Sequence, residues 1–238
     1  MKKWLDIFDA CSGVSTDSRQ IFKDCLYISL RGANFNGNVF PPQALEQGAK
    51  YAVVDQIELA NEQDIFYVED GLQFLQALAL AHRQRFNIPV LGITGSNGKT
   101  STKELVRCVL ETKFNLLCTE GNLNNHIGVP LTLLRLNATH QLAIIEMGAN
   151  KLLDIDELCR IAVPTHGLIT NIGKAHLEGF GGVEGVIKGK SEMYTYLKAY
   201  RKQVFVNIDD EIQKSKTTDF NRITFSEKDK NANVFIES

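Results

Sequence analysis

Apolar residues fall into short runs that are separated by segments with helical spacing. In the first third of the chain, Cys25–Leu30, Tyr51–Asp55 and Ile65–Val68 have the length and composition of buried strands. A helix is predicted over Leu72–Phe86 from its spacing, and a shorter one over Pro41–Gln47, because a glycine follows as a stop signal. Strands that alternate with helices predict an α/β fold.

The rest of the chain repeats this alternation with more continuous apolar runs. The predicted strands are Val90–Thr94, Leu142–Glu146, Gly167–Thr170, Gln203–Asn207, Arg222–Phe225 and Val234–Glu237. The predicted helices cover Lys99–Thr112 and parts of Ile127–Leu136, Ile155–Ile161 and Val183–Ala199. Strands of this kind, separated by helices, are typical of a mostly parallel sheet that is covered on both faces.

Both patterns break at Asn87-Ile88-Pro89, which ends the predicted helix before it. We therefore predict a domain boundary near residue 87. The expected architecture is a small α/β N-terminal domain over residues 1–87, followed by a mostly parallel sheet domain over residues 88–238.

Composition narrows the class of protein. Of the 238 residues, 44% are hydrophobic and 23% are charged, and the formal net charge is −2. A balanced charge does not favour a general nucleic-acid or membrane binder. The N-terminus lacks the apolar core of a secretory signal, and no apolar run of about 18 residues exists to span a membrane. These features predict a cytoplasmic protein.

The strongest local motif follows the strand Val90–Thr94. Gly95-Ser-Asn-Gly98 leads into Lys99, Thr100 and a helix, which is the arrangement of a phosphate-binding P-loop. The longer P-loop pattern requires a glycine where Ile93 stands, so only the shorter form G-x-x-G-K-T is intact. The alternative interpretation is a plain glycine-rich turn with a surface lysine.

Two further strands end in polar groups. The run Leu142–Glu146 ends in a carboxylate, which would be unfavourable at a buried strand tip unless a cation such as Mg²⁺ meets it. Gly167–Thr170 leads into a loop that contains His176. Ligands of parallel sheets bind beyond the carboxyl ends of the strands, so Lys99, Glu146 and His176 are expected at one edge. A solvent-facing glutamate and an incidental loop histidine are the alternatives.

Several blocks, in this order, resemble the Mur ligase family. They are Gly92–Glu104, Gly121–Leu134, Ala143–Asn150, Asn171–Gly182 and the hexapeptide IKGKSE that begins at residue 187. The residues of these blocks are most similar to those of the MurF type, the branch that joins D-alanyl-D-alanine to a UDP-N-acetylmuramoyl-tripeptide. In the first domain, Thr16–Arg19, Asp24–Leu30 and Gly32–Gly37 resemble that family's UDP-substrate domain.

The resemblance implies a role for individual residues. Lys99 would hold ATP phosphates, and Thr100 and Glu146 would bind one Mg²⁺. His176 would help to bind a second Mg²⁺, and Lys190 matches the lysine that these ligases carry as a carbamate, with Lys188 as its rival. The residues implied to surround the nucleotide phosphates are Gly95, Ser96, Asn97, Gly98, Lys99, Thr100 and Ser101. Those implied to line the region of the precursor are Ser18, Arg19, Asn36, Asn122, Asn124 and Asn125, although turn and cap roles compete for Ser18, Arg19 and Asn36.

The resemblance also implies a reaction in peptidoglycan precursor synthesis. ATP would phosphorylate the terminal carboxylate of the UDP-muramoyl tripeptide, and the amine of D-alanyl-D-alanine would then attack the acyl phosphate. Members of the family are much longer than this chain, which is therefore expected to be a fragment that does not ligate alone. Three alternatives stay open: a relative that adds another amino acid, a UDP-precursor or nucleotide-binding module without catalysis, and a small-molecule kinase.

Overall fold

The computed structural model describes residues 1–61, 63–173 and 177–237. Contacts divide the chain into two compact units. The first comprises Met1–Arg85 with Leu133–Leu136, and the second comprises Phe86–Thr132 with the chain from Asn137 onward. The division does not test where the functional domains begin and end, so the boundary near residue 87 stays a prediction.

A four-stranded parallel sheet forms the centre of the first unit. Its strands are β1 (Val14–Ser15), β2 (Leu26–Ile28), β5 (Tyr51–Val54) and β6 (Ile65–Tyr67), in the order β1-β2-β5-β6. Between β2 and β5 lie the hairpin strands β3 (Arg31–Gly32) and β4 (Phe35–Asn36), a 3-10 turn at Gly37–Val39, and helix α2 (Pro41–Glu46). The other helical segments are α1 (Lys2–Asp9), α3 (Gly71–Arg83) and a 3-10 turn at Ile57–Leu59.

One apolar cluster of this unit lies between the sheet and α2. Its buried residues are Cys25, Tyr27, Ala44, Ala49, Ala52, Val54 and Ile65. Burial of such a cluster removes apolar surface from water, which is the main favourable contribution to folding.

The second unit contains a seven-stranded sheet in which every strand pair is parallel. Its strands are β7 (Val90–Thr94), β8 (Leu116–Cys118), β9 (Leu142–Glu146), β10 (His166–Ile169), β11 (Gln203–Asn207), β12 (Arg222–Ser226) and β13 (Val234–Phe235). The order is β13-β12-β11-β10-β7-β9-β8. The helices of this unit are α4 (Lys99–Leu110), α5 (Gly128–Leu133), α6 (Asp154–Ala162), α7 (Leu177–Phe180), α8 (Val183–Ala199) and α9 (Glu211–Lys216).

The strand order places β7 between β9 and β10. The connection that leaves β7 runs past β9 to the edge strand β8, whereas the connection that leaves β9 crosses β7 to reach β10. Register pairs Ile93 with Glu146 on β9, and Thr94 with Ile169 on β10. The carboxyl ends of three neighbouring strands therefore stop at the same level. This is the position at which doubly wound sheets bind ligands.

The α/β fold class with a mostly parallel sheet, predicted from the alternation of elements, is confirmed. The structure adds elements that the pattern did not indicate. The pattern predicted no helix at residues 2–9, where α1 lies. Strand β8 has three residues, and α9 is a polar six-residue helix whose first turn is capped by the Asp210 carboxylate.

No helix within the described ranges combines the length and the apolar composition that a membrane crossing requires.

Candidate functional site

The loop between β7 and α4 has the backbone that a phosphate cradle requires. Gly95 has φ +145°, and a Cβ atom there would collide with the Thr170 hydroxyl. Gly98 has φ +75° immediately before α4. Both conformations favour glycine, because a Cβ atom is absent. Ile93, which stands where the longer P-loop pattern has glycine, is fully buried in β7. Its side chain serves the core.

A clasp of hydrogen bonds holds this loop against the segment that follows β10. The Ser96 hydroxyl accepts from Gly173 N–H at 2.9 Å, and Ser96 N–H donates to the Asn171 carbonyl at 3.0 Å. The Asn171 side chain accepts from Asn97 N–H at 3.1 Å and donates to the Asn97 carbonyl at 2.9 Å. The Thr170 hydroxyl donates to the same carbonyl at 2.6 Å. This role of Thr170 and Asn171 could not be predicted from the sequence, because it depends on β7 and β10 being neighbours in the sheet.

The predicted phosphate ligands occupy the end of α4 that meets this loop. The Lys99 ammonium donates to the Gly95 carbonyl at 2.9 Å, so it lies over the loop. Thr100 is exposed and donates its hydroxyl to Glu146 Oε1 at 3.1 Å. Ser101 is exposed in the first turn of α4. The start of a helix presents unpaired N–H groups and the positive end of its dipole, which favours an anion.

Glu146 ends β9 and is only 1% exposed. Its Oε1 accepts from the Thr100 hydroxyl and, at 2.8 Å, from the Asn124 side-chain amide. Its Oε2 is buried and has no hydrogen-bond partner among the described residues. A buried carboxylate oxygen without a donor is unfavourable unless a cation neutralises it. Together with the Thr100 hydroxyl, this oxygen is the hard donor set that suits Mg²⁺.

The described residues contain no group of three or more His, Cys, Asp or Glu side chains that could hold a metal. A cation at Glu146 would therefore take its other ligands from phosphate oxygens and water, as is usual for Mg²⁺ beside a nucleotide. His176, the predicted contributor to a second metal site, lies outside the described residues.

A polar cleft of about 370 Å³ opens beside Lys99. The three predicted asparagines, Asn122, Asn124 and Asn125, all line it. Asn124 reaches Glu146, as described above. Asn125 uses its side-chain oxygen to accept from the N–H groups at the start of α5, at 2.9 and 3.0 Å, so that oxygen acts as a helix cap.

The structure separates the two lysines of the IKGKSE segment. Lys190 is 1% exposed, whereas Lys188 is exposed on the opposite face of α8. The Lys190 ammonium lies 3.4 Å from the Ala149 carbonyl and 5.4 Å from the centre of the Phe180 ring. Burial lowers the pKa of Lys190 from 10.5 to about 8, and the nearby Lys99 charge acts in the same direction. A larger share of Lys190 than of an ordinary lysine is thus the neutral amine at neutral pH, and the neutral amine is the nucleophilic form.

Glu192 organises the cleft wall without having been singled out from the sequence. Its two carboxylate oxygens accept from Leu153 N–H at 2.7 Å and from Asp156 N–H at 3.1 Å. These donors belong to the start of α6, so a side chain of α8 caps another helix. Burial raises the pKa of Glu192, while its backbone donors oppose that shift. The capping bonds join residues that are 36 and 39 positions apart in the chain, so local spacing could not predict them.

The predicted precursor contacts of the first unit have local partners. Arg19 is exposed, and its guanidinium makes two bonds to the Asp17 carboxylate at 2.8 and 2.9 Å, which hold the pKa of Asp17 well below its usual range. Ser18 is half-buried in the same turn. The Asn36 side-chain oxygen accepts from Asn38 N–H at 3.1 Å and from the Asn38 side-chain amide at 2.9 Å, so it caps the 3-10 turn. Their roles toward a substrate stay predictions.

Comparison with known proteins extends these observations. The chain matches the family model described as "Mur ligase middle domain" over residues 93–238 and that described as "Mur ligase family, catalytic domain" over residues 10–83. It is 40% identical over 189 residues to the UDP-N-acetylmuramoyl-tripeptide--D-alanyl-D-alanine ligase of Bacillus subtilis, a match that covers 78% of this chain and 41% of that protein. The ligase of the same name from Synechocystis is 43% identical over 187 residues, with 78% and 41% covered. The chain thus spans about two fifths of the length of these curated relatives.

Solved structures give the same result. MurF from Acinetobacter baumannii superposes with a TM-score of 0.84 at 29% identity, over 95% of this chain and 53% of that one. MurF ligase from Thermotoga maritima in complex with ADP superposes with a TM-score of 0.83 at 30% identity, over 94% and 52%. The two family models together cover both units of the chain, in the order that its sequence blocks predict. The chain belongs to the Mur ligase family.

Proposed function

We propose that this chain carries the precursor-binding and ATP-binding parts of an ATP-dependent amide ligase. The ligase would join D-alanyl-D-alanine to a UDP-N-acetylmuramoyl-tripeptide through an acyl phosphate, in peptidoglycan precursor synthesis. The observation that carries this proposal is the buried, unpartnered Glu146 Oε2 beside the Thr100 hydroxyl, at the mouth of a phosphate loop. The substrates are inferred from relatives that bear this ligase's name and are about 40% identical to the chain.

In this proposal, the residues of the second unit divide the work of phosphoryl transfer. The N–H groups at the start of α4 would face the phosphates, and Lys99 would offset the phosphate charge. Thr100 and Glu146 would hold Mg²⁺, which supplies charge neutralisation between the nucleotide and the substrate carboxylate. Asn124 fixes the orientation of Glu146 by its bond to Oε1. A carboxylate that is already oriented does not have to reorganise as charge develops during phosphoryl transfer. This favours the transition state.

Lys190 would contribute as a carbamate in the proposed enzyme. Carbamate formation requires the neutral amine, and a pKa of about 8 leaves about a quarter of Lys190 neutral at pH 7.5. An ordinary lysine would have about one part in a thousand neutral at that pH. The modification converts a buried cation into an anion, which fits a position close to the Lys99 charge. The exposed Lys188 lacks this environment.

Polar side chains would contact the precursor in this proposal. Asn122, Asn124 and Asn125 line the cleft beside Lys99 and would contact the peptide of the precursor. Ser18, Arg19 and Asn36 would contact the UDP-sugar, and His176 would assist a second metal. We infer a cytoplasmic location without membrane insertion, since ATP and a UDP-linked precursor are the expected substrates.

Calorimetry on the 238-residue chain tests the proposal directly. UDP-N-acetylmuramoyl-tripeptide and Mg²⁺–ADP should each bind, and the nucleotide should bind at least tenfold more weakly without Mg²⁺. Lys99→Met should weaken nucleotide binding about tenfold, since it removes one charged hydrogen bond worth roughly 1.5–3 kcal/mol. Lys113→Met, three residues after the end of α4, should leave binding unchanged.

Ligation is measured in the same preparation with ATP, Mg²⁺, the precursor and D-alanyl-D-alanine. We expect binding without turnover from the isolated chain, and turnover by the ligase that contains it. Release of a stable phosphorylated precursor would favour a kinase instead. Absence of both precursor and nucleotide binding would refute the proposal.

A further inference from the structure

Lys103 is a fully buried lysine that the proposed chemistry does not use. It lies on α4, one helical turn after Lys99, and is 1% exposed. Its ammonium donates to the Thr119 carbonyl at 2.7 Å. It also lies 2.9 Å from Glu104 Oε1, but the Glu104 side chain is 45% exposed. A half-exposed ion pair contributes little, so the buried carbonyl is the partner that accounts for the position of the lysine.

Thr119 lies where β8, β9 and α4 meet. It follows β8 directly, and its N–H donates to the Ile144 carbonyl of β9 at 3.0 Å. Its hydroxyl accepts from Glu146 N–H, also at 3.0 Å. Thr119 itself is 1% exposed. A displacement of its backbone would therefore be passed to the residue that carries the candidate metal carboxylate.

The segment that begins at Thr119 returns to the same carboxylate five residues later. Asn124 donates its side-chain amide to Glu146 Oε1 at 2.8 Å, and its carbonyl accepts from Gly148 N–H at 2.7 Å. A Cβ atom on Gly148 would lie only 2.9 Å from the Asn124 side-chain oxygen, so the segments that carry these two residues are in close contact. Residues 119–124 thus form a bracket around Glu146, which is fixed at both ends.

We propose that Lys103 is a positioning residue for the Glu146 carboxylate. Lys103 and Thr100 are three positions apart and lie on one side of α4. Thr100 reaches Glu146 directly, and Lys103 reaches it through Thr119. The helix that carries the phosphate ligands is thereby locked to the carboxylate at two successive turns. The locking role rests on hydrogen bonds alone, whereas its effect on metal affinity rests on the proposed function.

A lysine suits this position because a long, flexible stem must carry a donor through a buried layer. Thr119 O would otherwise be a buried carbonyl without a donor, which is unfavourable. A methionine of similar length fills the space and leaves the carbonyl unpaired. The bracket should then open or shift, although the fold of the sheet remains.

Hydrogen exchange on the 238-residue chain tests the lock without any ligand. In Lys103→Met, the amides of Thr119, Glu146 and Gly148 should exchange at least about tenfold faster, since the variant removes a charge-assisted hydrogen bond. The amides of β11 should be unchanged. Glu104→Gln is the matched control, because it removes the ion pair and keeps the bond to Thr119. Equal exchange in Lys103→Met and the wild-type chain would overturn the proposal.

A Mg²⁺ titration tests the consequence for the metal. Binding of a fluorescent ADP analogue is followed as Mg²⁺ is added, and the midpoint should rise about tenfold in Lys103→Met but less than twofold in Glu104→Gln. Thr119→Val is a second route, since it removes only the hydroxyl that binds Glu146 N–H. The same rise is expected there, even if Lys103→Met does not fold. An unchanged midpoint in Thr119→Val would refute the relay.

The two measurements separate this inference from the proposed function. If the wild-type chain shows no Mg²⁺-dependent nucleotide binding, the proposed function fails for this chain, and the exchange data still decide whether Lys103 holds the bracket. If the wild-type chain binds and the midpoint does not move in either variant, the positioning role fails while the proposed function stands.

Discussion

Replacement of the buried Lys190 by methionine should stabilise the protein at neutral pH. Lys190 is 1% exposed, and its pKa is lowered from 10.5 to about 8. Each tenfold change in acidity corresponds to about 1.4 kcal/mol, so the folded state holds the charged lysine with a penalty of about 3 kcal/mol. Methionine removes this penalty and loses the long 3.4 Å contact with the Ala149 carbonyl, worth about 1 kcal/mol. The expected net gain is about 2 kcal/mol at pH 7.

The sign of the pH dependence follows from the direction of the shift. Below about pH 8, Lys190 is charged in both the folded and the unfolded chain, so the wild-type protein has the full penalty. Between about pH 8 and 10.5, the unfolded chain binds more protons than the folded one, and wild-type stability rises with pH. The advantage of Lys190→Met should therefore shrink across that range.

Urea denaturation of the two proteins provides the assay. It is carried out at pH 7 and pH 9.5 in buffers free of carbon dioxide, so that no carbamate forms. Far-UV circular dichroism follows the whole chain, whereas fluorescence of the single tryptophan, Trp4, reports the first unit and should not change. Lys188→Met is the control, since an exposed lysine has no such penalty.

Two results would contradict this reasoning. A loss of stability in Lys190→Met at pH 7 would mean that the contacts of the ammonium with Ala149 and Phe180 outweigh its desolvation. A gain of equal size at both pH values would mean that the effect comes from packing and not from charge. If the prediction holds, Lys190 destabilises the folded chain at neutral pH, which is typical of a residue that serves function at a cost in stability.

Three further substitutions test the rest of the site. Glu146→Gln keeps the shape and removes the charge, so the Mg²⁺ midpoint for nucleotide binding should rise about tenfold or more; an unchanged midpoint would exclude Glu146 as a metal ligand. Asn171→Ala releases both bonds to Asn97 and should weaken ADP binding about thirtyfold, at roughly 1 kcal/mol for each of the two hydrogen bonds, as measured by calorimetry. Affinity equal to wild type would show that the clasp is dispensable. Glu192→Ala removes the acceptors of two hydrogen bonds at the start of α6 and should lower the free energy of unfolding by about 2 kcal/mol, as measured in urea. The amides of Leu153 and Asp156 should also exchange faster. Unchanged protection of those amides in the variant would argue against the cap.

The sequence by itself determined the fold class and indicated the residues at the centre of the candidate site. Alternation of apolar runs with helical spacing is a local property, and it identified the strands β7 and β9 with their observed bounds. The phosphate loop could also be read locally, because its glycines, lysine and threonine are consecutive in the chain. The family's blocks then indicated Lys190, but only the fold distinguished it physically from Lys188, since burial on one face of α8 lowers the pKa of one amine.

Tertiary structure alone decided which distant groups meet. Asn171 clasps the loop at Asn97 because β10 lies beside β7, and Lys103 reaches Glu146 through Thr119 because β8 lies beside β9. No local pattern predicts such pairs, since strand order is set by the packing of the whole sheet. Local spacing specified which residues are chemically able to act, and the order of the strands specified which of them act together.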